Sequence, residues 1–190
     1  MSIGIVLGIG IATANVSVLI NALGALGVTY LPALLRRDWG VRLSPGLTMI
    51  VTTAVFLHTV GMLGLYDHVW WYDHLTHTLS ASIVAAVGYA GTRALDLYSD
   101  SVSFPPRFLS VFLLLFTLAL GVFWEVLEFA ARLGASAVGA EAVLVQYGLE
   151  DTILDLVFDT VGAVLVALFG TRRLSALVTE LHDRFLWSSQ

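Results

Sequence analysis

The sequence predicts an all-α membrane protein: a polytopic transmembrane helix bundle of about five spans, with a C-terminal amphipathic helix lying at the membrane interface. Three observations predict it. The chain of 190 residues is 58% hydrophobic and only 12% charged, whereas soluble domains run nearer a quarter charged. Its mean hydropathy is +0.88, and its apolar residues fall into runs close to the ~20 residues that cross a bilayer as helix. The arginines gather between alternate runs, as they do in cytoplasmic loops. No linker or low-complexity tract interrupts the chain, so residues 1–190 read as a single transmembrane domain.

Taken in order, the first run covers residues 3–26. It has no basic leader region and reads as a retained span, not a cleaved signal. It stays apolar as far as Leu35, with Gly24, Gly27 and Pro32 as places to bend, so it counts as one long span or two. Asn15 inside it is a candidate interhelical hydrogen-bonding residue. Residues 47–65, 73–95, 108–131 and 152–169 supply the remaining spans. Trp70, Trp71 and Tyr72 stand before the third as an interfacial aromatic belt. Residues 172–187 place Leu174, Leu177, Val178, Leu181 and Phe185 at helical spacing, which makes the amphipathic helix. The pairs Gly4 and Gly8, Gly61 and Gly64, and Gly88 and Gly91 sit at small-residue spacing and read as close helix contacts.

Orientation follows from arginine placement. Arg36, Arg37 and Arg42 follow span one; Arg93 and Arg107 flank the link between spans three and four; Arg172, Arg173 and Arg184 follow span five. With five spans these share one side, and Arg132 alone falls on the other. The expected topology is multi-pass in the cell membrane, N-terminus out and C-terminus cytoplasmic. The chain has no cysteine, which excludes disulfides, thiolate nucleophiles and Cys-ligated zinc. A net charge of −5 and a pI near 5.4 argue against nucleic acid. The expected partner is membrane lipid, with a homo-oligomer left open.

Ionisable residues inside spans are costly and point to function. Span two carries His58; span three opens with Asp73, His74 and His77; span four ends with Glu125 and Glu128; span five opens with Asp151, Asp155 and Asp159. Because neighbouring spans alternate in direction, all of them fall within roughly 12 Å of one boundary. Spacings of three and four then put each set on one helix face. Carboxylates gathered in low dielectric need a compensating charge. A divalent metal supplies it, and imidazole with carboxylate suits zinc, iron or manganese. The expected metal ligands are Asp73, His74, His77, Glu125, Glu128, Asp151, Asp155 and Asp159, enough for one ion or two, with Glu128 and Asp159 as catalytic carboxylates. Asp151 also reads as a plain N-cap for span five, and His58 as a hydrogen-bonding residue. Asp67 and His68 read as solvated. The loop from Leu133 to Glu150 joins the two carboxylate helices and could fold back as a lid.

The blocks "WWYDHLTHTLSASIVAAVGYA", "GVFWEVLEF" and "YGLEDTILDLVFDTVGAVL" resemble those of the YjdF-like integral-membrane proteins of unknown function, and more generally look VanZ-like. They cover spans three to five. The resemblance carries over Asp73, His77, Glu125, Glu128, Asp151, Asp155 and Asp159; His74 and His58 rest on spacing alone. It implies a shared site and names no reaction.

The leading expectation is a membrane-embedded, metal-dependent enzyme that hydrolyses a lipid or lipid-linked substrate, with di-metal oxidation as a variant. Two alternatives stand beside it: a cation or proton transporter using the same acids, and a non-catalytic structural or metal-sensing protein.

Overall fold

The computed structural model describes residues 2–98, 101–140, 142–144, 146–170 and 174–188. Arg172 and Arg173, and the side chains of Arg184 and Phe185, lie outside the described residues. All regular structure described is helical: α1 (Ser2–Ala12), α2 (Val16–Thr29), α3 (Leu31–Asp38), α4 (Pro45–Val60), α5 (Tyr66–His68), α6 (Tyr72–Tyr98), α7 (Pro106–Val138), α8 (Leu149–Leu165) and α9 (Ser175–Ser188). The fold is therefore an all-α bundle with the proportions of a polytopic membrane protein.

The first apolar run is not one span. It breaks at Thr13–Asn15, where Ala14 adopts a left-handed φ of 53° and the Asn15 side chain accepts from Val18 N at 2.9 Å, capping α2. Asn15 is thus a helix cap and not an interhelical bridge; an Asn that satisfies an orphan amide ends one helix and starts the next. At 11 residues, α1 is about half a bilayer long. It folds back along α2, with Val6 packed near Val18 and Ala22. A Cβ on Gly10 would come within 3.1 Å of Leu19 N, so glycine permits the tight corner. The first membrane-length segment is instead Val16–Asp38, α2 continued by α3 across Tyr30, beside Pro32, which has no amide for the helix ladder.

Four helical segments among the described residues are long and apolar enough to cross a membrane: Val16–Asp38, Pro45–His68, Arg107–Val138 and Leu149–Gly170. Helix α6, at 27 residues, is long enough to be a fifth but is more polar. Its position explains why. It packs against α4, α7, α8 and α9, so protein rather than lipid covers most of it.

The α6–α8 crossing is the closest in the bundle. Ala85 and Ala163 are fully buried against each other's helices, and a Cβ on Gly162 would meet Thr78 O at 2.5 Å. Ser82 Oγ donates to Thr78 O at 2.7 Å, and Thr78 Oγ1 donates to Phe158 O across the crossing at 3.3 Å. Small residues bring the backbones together, as they do between membrane helices generally. Of the glycines expected at contacts, Gly88 makes room for the Phe116 ring, which a Cβ there would meet at 2.7 Å, and Gly61 makes room for Tyr66, but Gly4, Gly8 and Gly91 face open space. The contacts are made by Gly10, Gly121 and Gly162 instead, because spacing alone does not say which face of a helix meets protein. The amphipathic helix α9 turns its apolar face to the bundle, with Leu174 just before it and Val178 both buried and Leu174 packed with Ala85, Ala163 and Val166.

Candidate metal centre

Two helices deliver the centre. Asp73 and His77 lie one turn apart on α6, Asp155 and Asp159 one turn apart on α8, and the small-residue crossing holds the two pairs together. The His77 ring sits among three carboxylates: Nδ1 is 3.3 Å from Asp159 Oδ1, and Nε2 is 3.7 Å from Asp155 Oδ1 and 3.8 Å from Asp73 Oδ1. Asp73, His77 and Asp155 each present a ligand atom within 4.8 Å of the others, a group able to hold a metal ion. Asp155 and the neighbouring Asp159 are buried, at 1% and 6% exposure, while Asp73 and His77 are half-buried. Asp155 Oδ1 has no hydrogen-bond partner. The described arginines that form ion pairs, Arg37 and Arg93, pair with Asp38 and Asp96, not with these acids.

Helix α7 adds its glutamates at the edge of this group. Glu125 and Glu128 are both buried. Glu125 Oε2 accepts from Thr152 Oγ1 at 2.7 Å, while its Oε1 is buried without a partner. Glu128 Oε1 accepts from the Trp124 indole N–H at 2.9 Å and lies within electrostatic reach of Glu125, His77 and Asp73. Gly121 makes the α7–α8 approach possible, because a Cβ there would overlap the Asp159 carboxylate.

Two of the expected ligands stand elsewhere. His74 turns away from His77: its ring stacks on Phe158 at 4.4 Å and meets Trp70 edge-on at 6.1 Å. At about 100° per residue, Asp73 and His74 flank His77 on opposite sides, so both cannot enter one narrow site. Its Nδ1 is buried without a partner. Asp151 accepts from Tyr147 N at 3.1 Å and so closes the turn into α8. It lies inside the first helical turn, and the cap position belongs to Gly148.

A second polar network adjoins the first. Asn21 Nδ2 donates to Ser17 O and Val143 O, which fixes its Oδ1 as an acceptor facing His58 Nε2 at 3.2 Å. His58 Nε2 therefore carries a proton, and in neutral His58 the Nδ1 accepts from Tyr66 OH at 2.9 Å. Tyr66 also reaches Thr76 Oγ1 at 3.4 Å, which donates to Asp73 O at 2.8 Å. His58 thus belongs to a neighbouring hydrogen-bond chain. Tyr66, Asn21, Thr152 and Trp124 escape a sequence reading that weighs charges, since none is ionised at neutral pH. Asn21, an amide within an apolar run, is the one signal that was there to follow.

The aromatic belt is only partly a belt. Trp70 and Trp71 are exposed, but Tyr72 is buried and donates to Leu57 O at 2.8 Å. Asp67 is tied to Tyr147 OH at 2.5 Å, and His68 Nδ1 lies 2.7 Å from Gly64 O. Burial, and then the Asp67 carboxylate, push the Tyr147 phenol up, so it stays a donor. Helix α7 runs to Val138 and ends in left-handed Gly139. The loop beyond it is pinned to α2, to Asp67 and to the mouth of α8: Ser17 and Asn21 hold Val143 O, and Gln146 holds Thr152.

Residues 1–176 match the family model described as "Predicted membrane protein (DUF2238)". The chain belongs to that family. The match takes in the whole α6–α8 centre, and the YjdF-like resemblance is consistent with membership of DUF2238; nothing in the comparisons carries the wider VanZ-like likeness. An uncharacterized protein of Thermotoga maritima is 28% identical over 146 residues, 73% of this chain, and the chain spans 65% of that relative's length. No solved structure matches.

Proposed function

We propose that this DUF2238 protein is a metal-dependent membrane enzyme whose centre holds a divalent ion on Asp73, His77 and Asp155. One observation carries the reading. Asp155 is 1% exposed, yet its Oδ1 has no hydrogen-bond partner and points at His77 Nε2. A buried, unsatisfied carboxylate oxygen is expensive, and a metal ion among these ligands would satisfy it. Asp159 supports the same reading from the other side of the ring. It accepts the Nδ1 proton of neutral His77, which leaves the Nε2 lone pair facing Asp73 and Asp155. A carboxylate behind a histidine ligand is the usual orienting partner. Asp159 is accordingly a positioning residue, and the ligand set shrinks from eight residues to three.

Nitrogen with two carboxylates suits zinc, iron or manganese. Asp73, His77 and Asp155 would hold such an ion, which would supply an activated water for hydrolysis. Glu125, with one oxygen held by Thr152 and the other buried without a partner, is our candidate to take the proton. Glu128, held by Trp124, contributes charge. The substrate is a lipid or lipid-linked group, since the centre lies at the membrane-boundary end of α6 and α8. The arginine pattern puts that end outside and α9 in the cytoplasm of a cell membrane, with α1 as a half-length helix that does not cross.

Elemental analysis of the purified chain tests the reading. We expect stoichiometric metal, lost in His77→Ala. Metal-free protein that still turns over lipid would end the proposal. Transport through the same acids has less support. Beyond the centre, Ser82, Thr92 and Thr160 donate to carbonyls of their own helices, which leaves no hydroxyl ladder across α6 and α8 among the described residues. Proteoliposome flux is the check.

A further inference from the structure

At the opposite end of α4 from His58, roughly 20 Å away along the helix, an open cavity of about 360 Å³ is lined by Pro32, Ala33, Arg36, Arg42, Leu43 and Thr48. Its lining combines apolar Pro32, Ala33 and Leu43 with basic Arg36 and Arg42. Arg37 beside it is neutralised by Asp38, but the Arg36 and Arg42 guanidinium groups enter no ion pair among the described residues. Glu180 of α9 accepts from the Arg42 backbone amide at 3.1 Å. It anchors the loop between α3 and α4 beneath the cavity. The N-terminus of α4, capped by Ser44, turns its positive dipole end to the same place. Tyr30, Leu31, Leu34 and Trp39 are exposed around α3. Exposed Trp and Tyr mark headgroup depth.

We infer that this cavity binds a phosphate group, delivered as the headgroup of an anionic lipid. Two guanidinium forks share one opening and match phosphate oxygens in a bidentate way. Pro32, Ala33 and Leu43 of the same lining offer the acyl chain an apolar surface, which a free anion would not need. Basic pockets between helices at the membrane face hold lipid headgroups by this combination. The site is separate from the metal centre and does not depend on it.

The test uses the full chain in detergent, with phosphatidylglycerol, phosphatidylcholine and inorganic phosphate as separate probes, against the double variant Arg36→Gln, Arg42→Gln. Native mass spectrometry should show phosphatidylglycerol retained by the unaltered chain and reduced on the order of twentyfold in the variant, about fivefold for each interfacial arginine. Phosphatidylcholine should not be retained. Equal phosphatidylglycerol retention by both proteins, or equal retention of the two lipids, overturns the inference. If inorganic phosphate alone raises the unfolding temperature of the unaltered chain but not of the variant, the pocket is a phosphate site and lipid delivery is overturned. The variant should keep its metal content and its phosphate-free unfolding temperature. Should it fail to fold, Arg36→Lys, Arg42→Lys, which keeps charge and loses the fork, must still retain less phosphatidylglycerol.

Discussion

The α1–α2 hairpin and the α6–α8 crossing use the same device to different ends. Each brings two helices close by means of a glycine, Gly10 in one and Gly162 in the other. The hairpin closes over Val6, Val18 and Ala22 and buries only hydrocarbon. The crossing closes over Ala85 and Ala163 and, one to two turns further along, over Asp155 and Asp159. Close packing in a membrane protein is thus not evidence of function by itself. What distinguishes the crossing is that its tight contact fixes the spacing of groups that would otherwise repel.

Four substitutions sharpen that contrast, from those that reach the metal centre to those that do not. Gly162→Ala drives a Cβ against Thr78 O at 2.5 Å and Ala81 Cβ at 2.9 Å. Backbone cannot yield cheaply, so we expect a loss of about 1–3 kcal/mol in unfolding free energy, together with reduced metal content. Unchanged metal in this variant would separate the crossing from the centre. Asp155→Asn comes next. Metal should vanish from elemental analysis, while the metal-free fold melts no lower than the metal-free parent, because one buried charge has gone. A variant that binds metal at parental stoichiometry would remove Asp155 from the ligand set. Gly10→Ala meets Leu19 N at 3.1 Å, and we expect a loss of about 1 kcal/mol with metal content untouched. Gly8→Ala faces open space and should be neutral or stabilise by up to ~1 kcal/mol through helix propensity. A large loss there would place an unseen neighbour, such as a second copy, on α1.

Much of this was readable from residue order. The helical class follows from hydropathy, and the meeting of Asp73, His77, Asp155 and Asp159 follows from i,i+4 spacing in the opening turns of two helices that run in the same direction, α6 and α8. The break before α2 was not, because hydropathy averages over a window and a single capping Asn hardly moves it. His74 was misplaced for a geometric reason: a spacing of three and a spacing of four both count as one face, yet they point to opposite sides of it. Tyr72 looks like an interfacial aromatic in a linear reading, and Tyr66 carries no charge to draw notice. Only the Gly61–Leu65 π-helical turn, opened at Gly64 with φ 105°, swings Tyr66 inward to His58. The arginines of the α3–α4 cavity were read for topology, which uses their sum and ignores their pocket.

The Trp124–Glu128 hydrogen bond carries a practical consequence. An indole whose N–H is held by an acid emits according to the charge and position of that acid, so the protein contains its own optical gauge beside the centre. Titrating ions while following tryptophan emission, with Trp124→Phe, which keeps the other four tryptophans, as the control, would report occupancy without any added dye.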